Sequence, residues 1–277
     1  PKPCILRVSG TDFYNFCFSD FYASQNPKKR FKTIQNRSQN LKKTIFMNPT
    51  LILIIIYLNF TASLQKNVHH RWNSMLQEYV SDDGRVNYKG WLEQRDNLNA
   101  YIETLQQFPP NESDSKNHKI SYWINTYNAL TVQLILKNYP VSSIKDIKSP
   151  WDIDNFKIEE KLYSLGDIEH KILRKMKEPR IHFAINCASK SCPRLWNKAF
   201  QEKQLEKQLT EATELFLNDS SKNTITPKHL KLSKIFLWFG KDFGSRKEKL
   251  NFIERYSGIR IENPKIAYLS YDWSLNQ

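Results

Sequence analysis

Glycine is scarce in this chain, with seven among 277 residues, and no G-x-G-x-x-G or phosphate-loop pattern occurs. That excludes the glycine-rich nucleotide cradles, whose backbone must approach phosphate closely. Cysteine is sparse as well, four in all, so a disulfide-dense miniature scaffold is excluded. Acidic residues are outnumbered, 28 against 42 Lys and Arg, for a formal charge of +14. This excess does not read as a nucleic-acid footprint. Residues 1–63 hold nine Lys or Arg and two Asp or Glu, which leaves +7 on the remainder. There the charges interleave, as in Glu202-Lys203 and Glu206-Lys207, the pattern of a solvated helix face. No basic stripe with stacking aromatics stands out, so a nucleic-acid partner is not expected. Aromatic residues, by contrast, are plentiful: sixteen Phe, thirteen Tyr and seven Trp give ample bulk for a core.

One apolar run is unbroken, Leu51 to Leu58. Lys42 and Lys43 precede it, and Thr61-Ala62-Ser63 follows with the small residues a signal peptidase prefers. The run is too short to span a bilayer, which takes about 20 apolar residues. Residues 41–63 therefore read as a signal peptide, against the alternative of a buried core element. On that reading translation starts at Leu41 or Met47, and residues 1–40 are upstream or disordered sequence. The mature chain, residues 64–277, is then a bacterial periplasmic or secreted domain with no membrane span after cleavage. No Cys lies near the cleavage point, so a lipid anchor is not expected.

Along the mature chain, residues 64–80 carry apolar positions at Val68, Trp72, Met75, Leu76 and Tyr79, a helical period. Ser81–Gly84 is a turn. Trp91–Phe108 reads as a second helix, stopped by Pro109-Pro110, and Ile120–Tyr139 as a third, stopped by Pro140. Phe156–Leu165 alternates around Glu159-Glu160, a hairpin pattern. A helix over Ile168–Met176 follows. Arg180–Asn186 alternates with period two and is expected to be a central strand. Pro193 is expected to open a long helix to Leu217, since its missing N–H is harmless in a first turn. Thr224–Ser233 is a second hairpin, Arg246–Tyr256 a last helix and Lys265–Ser270 a last strand. These elements predict an α+β class: a helix-rich single domain packed on a small, mainly antiparallel sheet.

Chemistry concentrates in Arg180–Pro193, which holds both cysteines of the mature chain. Cys192 directly precedes Pro193, and a helix N-terminus there lowers a thiol pKa from about 8.5 toward 7 or below. His182 lies five residues before Cys187. Glu169-His170 sits on the preceding helix, with Arg174 one turn later on the His170 face. A nucleophilic thiol needs a base and a group that orients the base. Cys192 or Cys187, His170 or His182, and Glu169 are the residue types required. The same two cysteines equally suit a disulfide, which fixes the turn and silences both thiols. A zinc site from Cys187, Cys192, His170 and His182 matches no standard spacing, so neither metal nor cofactor is expected. Asn125 and Asn128 share a helix face. Asp272 and Trp273 follow the last strand. These four are binding candidates together with Arg174.

The segments Tyr122-Trp123-Ile124-Asn125-x-Tyr127-Asn128-Ala129-Leu130-Thr131, Ser164-Leu165-x-x-Ile168-Glu169-His170, Arg180–Pro193 and Tyr271–Asn276 resemble a bacterial and plant family known as domain of unknown function 547. The likeness covers residues 70–277. It implies the domain and brings no activity with it. Two readings therefore stand. In one, the domain is a non-catalytic envelope module, with Cys187 and Cys192 bridged and aromatic residues forming a groove for an unidentified envelope ligand or protein. In the other it is a papain-like or transglutaminase-like thiol hydrolase or acyltransferase, with Asn125 or Asn128 as oxyanion donor.

Overall fold

A computed structural model describes residues 68–277; the leader pattern at 41–63 and the upstream residues 1–40 lie outside the described residues. The first described element is α1, His70–Tyr79, which buries Trp72, Met75, Leu76 and Tyr79, the apolar stripe that its period requires. The second expected helix is divided into α2, Tyr88–Leu92, and α3, Arg95–Gln107. The Asn87 side chain accepts the Gly90 N–H at 2.9 Å, so the chain caps and starts a helix earlier than its apolar pattern suggests. Trp72 stacks on Tyr101 at 5.6 Å and packs against Trp91, which joins α1, α2 and α3.

The central element is α4, Lys116–Asn138, capped by Ser115, whose hydroxyl accepts the His118 N–H at 3.0 Å. Sixteen of its 23 residues are buried, so the helix is walled on every side rather than on one stripe. It ends where Tyr139 precedes Pro140, a position that disfavours helical backbone. Among the described residues, no helix is long and apolar enough to cross a membrane.

Among the described residues, strands are short and form two sheets. The hairpin of β1, Phe156–Ile158, and β2, Lys161–Tyr163, turns through Glu159, which takes a left-handed φ of 53°. The second sheet has the order β3–β4–β5, from Thr224–Ile225, His229–Leu232 and Lys265–Tyr268. Its first pair is antiparallel and its second parallel, with Leu230 opposite Ile266. The protein is helix-rich α+β, with small and mostly antiparallel sheets.

Three local expectations are corrected. Arg180–Asn186 is not a strand. Pro179–Phe183 winds as a 3₁₀ turn, with the Ile181 carbonyl accepting from both Ala184 and Ile185 at 3.0 Å. Every side chain from 180 to 186 is buried, so alternation here marks no solvent face, and the backbone is satisfied without a neighbouring strand. The helix expected from Pro193 begins only with a turn at Glu202–Gln204 and continues as α5, Leu205–Leu217. Residues 193–200 instead direct their amides to side chains, Ala199 N–H to Asn73 and Phe200 N–H to Asn125. Asp167–Leu173 winds as a π-helix and Arg174–Met176 as a 3₁₀ turn, where an ordinary helix was expected.

The chain closes with α6, Ile235–Trp238, a turn at Gly240–Phe243, and α7, Arg246–Ser257. The last residues thread between two loops. Leu275 N–H reaches the Ser142 carbonyl at 3.0 Å, while Lys190 N–H reaches Ser274 at 2.8 Å. This strap places Tyr271 and Trp273 beside the cysteine loop.

Candidate functional site

Local backbone chemistry fixes the cysteine loop. The Asn186 N–H donates to Asn128 Oδ1 at 2.8 Å, and its own amide spans the turn to the Pro193 carbonyl at 2.7 Å. The Ala188 N–H returns to Asn186 Oδ1 at 2.8 Å while Ala188 adopts a left-handed φ of 58°. Across this turn Cys187 and Cys192 are joined as a disulfide, with their Cα atoms 6.1 Å apart. Because residues 193–200 are not helical, no helix N-terminus at Pro193 activates the Cys192 thiol, contrary to expectation.

One side of the loop opens on a cavity of about 180 Å³. Cys187, Cys192, His170, His182 and Glu169 all line it, together with Tyr127, Trp151, Trp238, Phe239, Tyr271 and Trp273. Tyr271, Trp238 and Trp273 form a continuous aromatic wall, with ring centroids 4.5–5.7 Å apart, and Trp151 meets Trp273 edge-on at 5.8 Å.

Glu169 is 6 % exposed and makes no ion pair among the described residues. Its one hydrogen bond is a long one from the Tyr127 hydroxyl at 3.4 Å. Burial, opposed by the Arg174 charge and by that hydrogen bond, pushes its carboxyl up to about 7. The same burial, with the Glu169 charge, drives the Tyr127 hydroxyl well above the usual phenol range.

The imidazoles have unlike surroundings. His182 is 2 % exposed, stacks on Phe239 at 4.2 Å, and its Nε2 lies 2.8 Å from Asp242 Oδ2. Burial lowers its pKa despite the pull of Asp242, and so favours the neutral ring. Asp242 also accepts two hydrogen bonds from Arg174, at 2.6 and 2.8 Å. Burial disfavours its charge, but Arg174 and His182 outweigh that cost and hold the carboxyl well below the ordinary range. His170 is exposed, and Arg174 Nη1 donates to its Nδ1 at 3.1 Å. Partial burial and the Arg174 charge lower its pKa.

The structure thus brings together both sulfurs, both imidazoles, Glu169 and Trp273, and sets Arg174 behind them on Asp242. Glu169 is not within hydrogen-bond reach of either ring, so the carboxylate orienting His182 is Asp242. Sequence reasoning missed Asp242, Trp151, Trp238 and Phe239. A signal existed in Gly240-Lys241-Asp242-Phe243-Gly244, where an acid between two glycines follows an aromatic run. Asn125 and Asn128 are not brought to the cavity. Asn125 clamps Phe200, accepting its N–H at 3.0 Å and donating to its carbonyl at 2.8 Å; Asn128 likewise holds the Asn186 N–H and the Ala184 carbonyl. Each amide spends its oxygen and one N–H on backbone, and neither residue lines the cavity.

Asp272 is exposed, closes a turn by accepting from Ser274, and lines a second cavity of about 450 Å³ across the loop, beside Lys190, Arg194 and Lys222. Cys192 borders both cavities. Among the described residues, no group of three His, Cys, Asp or Glu side chains gathers as a metal site. No curated protein and no solved structure matches the chain. Residues 111–217, which carry α4, Glu169, both imidazoles and both cysteines, match the family model described as Protein of unknown function, DUF547, and the chain therefore contains a DUF547 domain.

Proposed function

We propose that the protein is an exported, cell-envelope binding module that takes a small ligand, or a single side-chain ring of a larger one, in the aromatic cavity beside the Cys187–Cys192 turn. One observation carries this reading: a buried carboxyl that makes no ion pair among the described residues, Glu169, faces a cavity walled by Trp151, Trp238, Phe239, Tyr271 and Trp273. Binding sites are concave, mostly apolar, and hold few polar groups that fix orientation. A cavity of about 180 Å³ admits one six-membered ring, since roughly 150 Å³ is enough for benzene. The disulfide lies in the wall that carries both sulfurs. An oxidising compartment suits that bridge, and the signal-peptide pattern at 41–63 supports the same location.

The test is a tryptophan-fluorescence titration with phenol, benzylamine, benzoate and N-acetylglucosamine. A saturable change with at least one probe, abolished by Trp238→Ala, is expected. Absence of saturation with all four rejects the reading.

A second reading has its own observation. His182, held at 2.8 Å by Asp242, lines the same cavity as both sulfurs, which is the base-and-orienter half of a thiol hydrolase. In this reading reduction frees Cys192 or Cys187 as the nucleophile. Cleavage of p-nitrophenyl acetate by reduced protein, lost in both Cys192→Ser and Asp242→Asn, is expected; loss in neither variant rejects it.

A further inference from the structure

We propose that Cys187 and Cys192 form a thiol–disulfide exchange centre, in which a cysteine-bearing peptide partner attacks Cys187 and Cys192 departs as the leaving sulfur. The two sulfurs are unequal in the way such a reaction requires. Cys187 is half-buried at the cavity wall, whereas Cys192 is 5 % exposed, so an incoming thiolate meets Cys187. The backbone N–H of Cys187 donates to Cys192 Sγ at 2.8 Å. A donor already aimed at the leaving sulfur stabilises the thiolate formed there.

The turn does not depend on the bridge for its shape. Asn128, the Asn186 amide and the Ser189–Leu275 pairing hold it from three sides, so the sulfurs stay neighbours after the bond opens. Proton carriers are at hand as well. Glu169, with its carboxyl raised to about 7, and His182 line the same cavity; Tyr127, Tyr271, His170, Arg174 and Asp242 are the other titratable or charged groups around them. The aromatic wall offers an apolar bed for residues flanking the partner's cysteine.

The step balances without an outside oxidant. A partner thiol passes its proton to Glu169 or His182, and its sulfur forms a bond to Cys187 Sγ as the Cys187–Cys192 bond breaks. The electron pair of that bond stays on Cys192, which then takes the proton. The partner's second thiol, losing its proton in turn, attacks the partner sulfur of the mixed disulfide, and Cys187 leaves and is protonated. One partner dithiol is oxidised to a disulfide, and one protein disulfide is reduced to a dithiol. The binding-module reading does not require this opening.

The experiment uses the full chain with Cys4→Ser and Cys17→Ser, so that only this pair reports, with glutathione as probe and mass spectrometry after acid quench. Glutathione is expected to open the bridge in the native protein. With oxidised glutathione as the probe, the Cys192→Ser variant is expected to exchange one glutathione onto Cys187 and release one reduced glutathione, and Cys187→Ser to react at least about tenfold more slowly, because its remaining sulfur is buried. Glu169→Gln is expected to flatten the rate's dependence on pH near 7 while the unfolding midpoint shows the fold intact. Mapping the first mixed disulfide in the unsubstituted pair gives the same answer if a serine variant fails to fold. A bridge that opens only in denaturant, or equal reactivity of the two sulfurs, overturns the proposal.

Discussion

The bundle of α1 to α4 and the cavity region of residues 167–243 solve the same physical problem differently. In the bundle, hydrogen bonds of regular helices satisfy the backbone, which leaves side chains free to pack: Trp72, Trp91, Tyr101 and Leu105 are all 1 % exposed or less. In residues 179–200 of the cavity region the backbone turns too often for regular bonding, so side chains take over. Asn128 serves residues 184 and 186, and the Asn186 amide serves Pro193. The cavity sits beside this stretch. The buried ionisable side chains Glu169, Arg180 and His182 lie in the cavity region, whereas the buried polar side chains of α4, such as Asn125 and Thr126, are uncharged.

The comparison breaks first if the bundle proves not to be the source of stability. Trp72→Ala removes a ring stacked on Tyr101 and in contact with Trp91. A loss of about 3–5 kcal/mol is expected, read as a fall in the denaturant midpoint. The folded fraction should retain the cavity's reactivity, since none of Trp72, Trp91 and Tyr101 lines the cavity. A small loss would mean that the bundle collapses around the gap and is less rigid than its packing implies.

The two asparagines of α4 sharpen the comparison further. Asn125→Ala and Asn128→Ala each orphan one buried N–H and one buried carbonyl, so each is expected to cost about 2–4 kcal/mol by thermal unfolding. Their effects on the cavity should differ. Asn128 holds the loop carrying Cys187, whereas Asn125 holds Phe200. Only Asn128→Ala should change the rate at which thiol reagents reach the pair. Equal rates in both variants would show that the loop keeps its shape without α4.

How much of this was legible follows the same division. The period of Trp72, Met75, Leu76 and Tyr79 and the alternation around Glu159 report a face directly, because packing on one side imposes it. The class, the family resemblance and the grouping of Cys187, Cys192, His170, His182 and Glu169 followed from local pattern. The turn at 180–186 did not: alternation reads as a strand only when one face meets solvent, and here both are buried. Pro193 suggested a helix start, but its neighbours' amides go to Asn73 and Asn125, residues far away in sequence. Asp242 stands 60 positions from His182. Its role depends on a turn between two glycines that pattern alone leaves unplaced. Asn125 and Asn128 were grouped correctly on one face, yet that face meets backbone rather than the cavity.

Glu169 tests the cavity region by charge alone. Its folded carboxyl sits at about 7 against an ordinary value of 4.5, so the folded state binds the proton more tightly than the unfolded chain does. The stabilisation is full below the unfolded value and is lost as pH rises through about 7. At about 1.4 kcal/mol per pH unit, the ceiling is roughly 3 kcal/mol between pH 4 and pH 8. Glu169→Gln keeps the shape and removes the titration. The variant's unfolding free energy should therefore lose this component of pH dependence, and its advantage over the unsubstituted protein should grow from pH 5 to pH 8. Solvent entering the cavity would shrink the effect below that ceiling. Parallel stability curves for the two proteins would mean that the carboxyl ionises freely in the fold, and that the cavity wall is wetter and looser than the bundle beside it.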